Sequence, residues 1–199
     1  MIPMQIRNKT IAICLACLML AAGPHARADS LEGLVDTLLD AMNRADAPTV
    51  DGCYFGARTH SWPEFEQLLI SVPRYSHSKQ AAVASLLAAS EYSERAVAAH
   101  REDKSLPVRL AVVAAMVERQ KAPPDTIALL TPLLESPDVV LRARALLNGL
   151  TAFPADSGLL SRLPHVLTDL KALKTHDDLA PDLIARLEQV RSENDSKKS

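Results

Sequence analysis

The chain has 199 residues, 48% of them hydrophobic and only 4% aromatic, with 22 Lys and Arg against 24 Asp and Glu and a formal charge of −2. A balance this close to neutral, on the acidic side, gives no electrostatic grip on nucleic acid or an anionic membrane surface. Six glycines in the whole chain leave little material for a phosphate-cradling loop.

Residues 1–28 read as an export signal. Arg7 and Lys9 open the chain with no acid beside them, Ile11 to Ala22 is an unbroken small and apolar run, and Ala26-Arg27-Ala28 places small residues around a cleavable bond before Asp29. The apolar run falls short of the roughly 20 residues that a membrane-spanning helix needs. The expectation is cleavage near Ala28-Asp29, a periplasmic or secreted product, and no stable membrane insertion after processing. Cys14 and Cys17 leave with the leader, so Cys53 stands alone. An odd thiol in an oxidising compartment is buried, reactive, or paired between two chains, the last giving a homodimer.

From residue 29 to 192 the pattern is that of a single all-helical domain. Leu31, Leu34, Val35, Leu38, Leu39 and Met42 form one apolar stripe at helical spacing, capped by Ser30. Residues 46–62 hold Pro48, Gly52 and Gly56 without periodicity, so an irregular loop is expected there. Ser61-Trp62-Pro63-Glu64 is a capping box that opens a helix ending at Pro73. Further helices are expected over 78–89 and 91–100, and from Pro107 to about Arg119, whose interior carries no charge on any face and so must lie between neighbours. Pro123-Pro124-Asp125 starts the next, with Pro132 as a kink. Ser136-Pro137-Asp138 starts another, closed by a left-handed cap at Asn148-Gly149. A loop over 153–158 precedes short helices from Pro164 to Leu173 and from Pro181 to Arg191, and residues 193–199 read as a disordered tail.

Arg109 and Arg142 lie 33 residues apart in matching apolar runs, Val108-Arg109-Leu110-Ala111 and Leu141-Arg142-Ala143-Arg144, with a fainter copy at 79–87. Periods of this size mark stacked helical hairpins, none of which can bury its apolar face alone. The segment from Leu129 to Leu150, an apolar helix followed by Ser136-Pro137-Asp138, an aliphatic-Arg pair and an Ala- and Leu-rich second helix, resembles the HEAT-like α-solenoid repeats. The resemblance covers residues 76–150. Gly149 has no counterpart in the preceding copy, where Met116 stands, and the first sixty residues do not fit. It implies an all-α fold, a short right-handed α-solenoid of helical hairpins, or a plain helical bundle where the N-terminal repeats degenerate. Repeats of this kind serve many binding roles, so fold alone does not name a function.

Two groups of residues stand out as candidate sites. Residues 51–62 concentrate reactive and aromatic side chains: Tyr54, Phe55, Arg58 and Trp62 have the chemistry of interface anchors, and Cys53 with His60 has the composition of a nucleophile and its base. The same aromatics can instead seal the open end of the helical stack. Arg109 and Arg142 can line one face and meet an acidic partner, or form a structural ladder in which Arg142 reaches Asp138. No ligand spacing for a metal and no cofactor motif is present. The function expected is an exported protein-binding module (scaffold, adaptor or immunity-like inhibitor) working by surface complementarity. The alternative is a small thiol-dependent enzyme.

Overall fold

The computed structural model describes residues 30–173 and 177–196. The expected leader, His176 and the Lys197-Lys198 end lie outside the described residues. Ten helices and no strand occur among them: α1 (Leu31–Asn43), α2 (Ala47–Ala57), α3 (Trp62–Ser71, continued by a 3₁₀ turn Val72–Arg74), α4 (His77–Ala89), α5 (Ser93–His100), α6 (Leu106–Glu118), α7 (Thr126–Leu134), α8 (Val139–Ala152), α9 (Ser157–Lys171) and α10 (Ala180–Ser196). The fold is all-α.

Short polar side chains start these helices. Ser30, Asp46, Ser76, Asp138 and Asp156 each accept a hydrogen bond from the backbone amide three residues on, at 2.8–3.3 Å. Each such cap contributes about 1 kcal/mol. Two helices end in left-handed residues that are not glycine. Ala45 has φ 54° and Gln120 φ 56°. Around them Asp46 N donates to Ala41 O and Ala45 N to Met42 O, while Lys121 N donates to Met116 O and Gln120 N to Val117 O. Both turns have the Schellman pattern that satisfies the last carbonyls of a helix.

Helices α1, α4, α6, α8 and α10 form a row in which each packs against the next. The alternate helices join onto that row: α3 on α4 and α6, α5 on α6, α7 on α6 and α8, α9 on α8 and α10, with α2 against α1 and α4. At the centre, α6 is buried at every position from Leu110 to Val117. That is the sandwiched helix its charge-free interior predicts, since a helix apolar on all sides has no face to give to water. Fully buried leucines from eight helices, Leu38, Leu69, Leu86, Leu110, Leu130, Leu146, Leu170 and Leu187 among them, make one continuous core.

Several boundaries differ from expectation. Residues 46–62 are not an irregular loop. Asp46 caps α2, and Pro48 sits in its first turn, where the missing N–H costs nothing. Gly56 lies on the face turned to α1, where a Cβ would stand 3.4 Å from Leu34. Gly149 is not a left-handed cap, since no described glycine has positive φ. It lies inside α8, where a Cβ would come within 2.9 Å of Leu159 Cδ1, so it permits the close crossing of α8 and α9. Pro164 does not open a helix but lies inside α9, which begins seven residues earlier on the Asp156 cap. Helix α10 runs on to Ser196, past the expected start of the tail.

Candidate binding site

A partly open cleft lies on the row of helices. It has a volume of about 130 Å³, and α4, α6, α8 and α10 line it, together with Leu179 just ahead of α10. Its apolar walls include Ala84, Ala114, Val117, Leu147 and Leu183, all buried. The alanines create the space, because a row of larger residues at α4 and α6 would close it. Among these walls stand the polar groups of Glu118, Arg144, Asn148, Asp182 and Arg186.

Arg144 dominates the site. It is 4% exposed, and its Nη1 donates to Oε1 of Gln80, also 4% exposed, at 2.9 Å. Gln80 is held in turn by donating from Nε2 to Tyr75 O at 3.0 Å. Burial pushes the guanidinium pKa down to about 10, against the opposing pull of Asp138, Asp177 and Glu118. Among the described residues no carboxylate bonds to Arg144, and each carboxylate acting on it has another partner. His77 lies between Asp177 (Nδ1 to Oδ2, 2.6 Å) and Asp138 (Nε2 to Oδ2, 2.9 Å). Glu118 accepts from the Ser85 hydroxyl at 3.2 Å. Asp182, elsewhere in the cleft, lies 3.9 Å from Arg186.

Glu118 keeps one flank in solvent while neighbouring helices crowd its carboxyl. Burial raises its pKa, and the Ser85 hydrogen bond and the charges of Arg186 and Arg144 oppose the rise. Tyr54 extends the polar line onto α2: burial and then the Glu118 charge push its phenol up, with Ser85 acting in the other direction. Asn148 donates from Nδ2 to Arg144 O at 2.9 Å, which leaves its Oδ1 as an acceptor. The cleft therefore combines a buried cation, a spare amide acceptor and apolar walls.

The residues singled out in the sequence are placed as follows. Tyr54 is half-buried beside this polar line, while Phe55 is 69% exposed on α2. Arg58 is exposed and donates to Ala89 O at 3.3 Å. Trp62 is buried, with its ring 6.0 Å from Tyr92 and 6.3 Å from His100 and Arg95 lying 4.7 Å over it. It fastens α3 to α5 and is not an exposed anchor. Cys53 is 3% exposed inside α2, and burial raises its thiol pKa, which is the reverse of what a nucleophile needs. His60 contacts Glu64 Oε1 at 2.9 Å, and the structure gives it no contact with Cys53.

Arg142 does not reach back to Asp138. It donates from Nη1 to Ser136 O at 2.6 Å and from Nη2 to Asp169 of α9 at 2.8 Å. Arg109 donates to Leu129 O of α7 at 3.3 Å. The two therefore play equivalent parts, each tying one helix of the row to the alternate helix that follows it. Lys79 departs from this pattern and pairs with Glu32 and Asp36 of α1. Among the described residues no cluster of His, Cys, Asp or Glu is arranged to hold a metal, and no helix is long and apolar enough to cross a membrane.

Reading the sequence missed Arg144, although its run was in view. A signal was available: Arg144 and Asn148 lie one turn apart among the apolar positions Ala143, Ala145, Leu146 and Leu147. Comparison with protein-family models, with curated proteins and with solved structures returned no match.

Proposed function

We propose that this chain is an exported helical-repeat module that binds another protein by surface complementarity, using the face formed by α4, α6, α8 and α10. The observation that carries the reading is the cleft on that face, in which a buried guanidinium bonds one neutral side chain and, among the described residues, no carboxylate. Asp138, Asp177 and Glu118 offset part of the cost of burying that charge, and a partner carboxylate that bonds to the guanidinium directly recovers more of it. The packing of each row helix on the next also favours a short right-handed stack of HEAT-like hairpins, a form that presents one continuous face. The buried thiol and its raised pKa offer nothing to a thiol-dependent enzyme.

Capture from a periplasmic extract of the host tests the proposal. The bait would be the chain itself and a variant carrying Thr151→Arg and Asp182→Lys, two exposed residues at the cleft. The expected result is a stoichiometric protein partner that the variant loses while keeping its helical circular dichroism. Equal capture by both would move the interface off this face, and the absence of any partner would overturn the module reading.

A further inference from the structure

From the same cleft, and resting on the binding-module reading, we infer that the face recognises the free C-terminal carboxylate of a partner chain that ends in an apolar residue, with Arg144 as the carboxylate ligand. Three features lead there. The first is size: about 130 Å³ is room for one terminal residue, well below the roughly 300 Å³ at which small-molecule pockets begin. The second is charge. Arg144 spends one Nη1 donor on Gln80, and no described carboxylate pairs with it, so the planar fork that suits a carboxylate is available within the cleft.

The third feature distinguishes a chain end from an acidic side chain. A terminal residue brings a carboxylate, a backbone N–H and an apolar side chain. The cleft offers a counterpart for each: Arg144, the Oδ1 of Asn148, and the walls of Ala84, Ala114, Val117 and Leu183. An internal Asp or Glu also has a backbone N–H, but its carboxylate takes the place of the apolar side chain. It would leave the walls in contact with a short polar side chain.

Titration of isotope-labelled full-length protein by NMR with three small probes tests the assignment. N-acetyl-leucine carries all three groups, N-acetyl-leucinamide lacks the carboxylate, and N-acetyl-aspartamide keeps the N–H but carries its carboxylate on the side chain, with no apolar group. The expected result is that N-acetyl-leucine shifts the Arg144 Nε and Asn148 Nδ2 resonances and binds at least tenfold more tightly than the other two. Equal binding of the amide, equal or tighter binding of the aspartamide, or no movement of these resonances would overturn it. The double variant Gln80→Leu/Arg144→Met should abolish the tenfold preference, and a preference that survives in the folded variant counts against Arg144. The comparison of acid with amide on the unaltered protein stands even if that variant does not fold. If capture depends on the rim residues while the three probes bind alike, the module reading stands and the carboxylate assignment falls. If N-acetyl-leucine is preferred while capture ignores the rim, the converse holds.

Discussion

Arg144 of α8 donates to Gln80 of α4 at 2.9 Å across 64 residues of sequence, and both side chains are buried. This contact ties the two sides of the cleft to each other past α6. Removing Gln80 alone, as Gln80→Leu, takes away the one side-chain acceptor of a buried cation and should destabilise the fold by about 2 kcal/mol. Arg144→Met alone should cost less, because Gln80 keeps its bond to Tyr75 O. The double variant should lie near the stability of the unaltered chain, since replacing both partners with apolar groups avoids the desolvation penalty. Urea unfolding of the four proteins measures this. Costs that simply add would show that the two side chains are not coupled.

Acid stability should depend on Glu64. Its carboxylate accepts from Ser61 N at 2.7 Å and meets the Ser61 hydroxyl at 2.7 Å and His60 at 2.9 Å. The Ser61 backbone bond, followed by the His60 and Ser61 side chains, lowers its pKa from 4.5 to about 2. A carboxyl group depressed on folding stabilises the native state above its unfolded pKa, and that contribution fades as pH falls from 4.5 through about 2. The group is exposed, so solvent screening holds the contribution to about 1 kcal/mol. Glu64→Gln should lower stability by about that amount at pH 7. The difference from the unaltered chain should then shrink toward pH 2, as followed by thermal unfolding across the range.

Ala45 and Gln120 are placed to gain from glycine. Both hold left-handed backbones at helix ends, a region that costs a residue with a Cβ about 1 kcal/mol or more. Glycine enters it without that penalty but loses more entropy on folding. Ala45→Gly and Gln120→Gly should each stabilise the fold by about 0.5 kcal/mol, seen as a rise in Tm. Ala45→Val, with a branched Cβ at the same φ, should lower it.

Cys53 should be inert in the native state. It is 3% exposed and its thiol pKa is raised by burial, so a disulfide reagent should label it at the rate of unfolding. Mild oxidation of the folded protein should leave a monomer on a non-reducing gel. Fast labelling, or a dimer band, would show that α2 opens readily from α1 and α4.

The local structure was legible residue by residue. The apolar stripe of α1, the Ser and Asp caps, the capping box of α3 and the charge-free interior of α6 all act through neighbours within a turn or two. Their consequences follow from period and side-chain chemistry. The matching of Arg109 with Arg142 was likewise legible, and the structure gives the pair equivalent parts.

What the sequence left open depended on contacts between distant segments. Gly149 has the composition of a helix end, but the approach of Leu159 makes it a crossing point inside α8. Pro164 looks like a helix start, but the Asp156 cap and the apolar face of α9 carry the helix through it. The alternation of glycine and proline in residues 46–57 suggested a loop until α1 and α4 gave α2 something to pack on. The cleft was the least visible feature, because the pairing of Arg144 with Asn148 one turn later does not by itself show that both are drawn into one site. Its burial, its bond to Gln80 and the other partners of Asp138, Asp177 and Glu118 arise only when α4, α6, α8 and the segment leading into α10 come together.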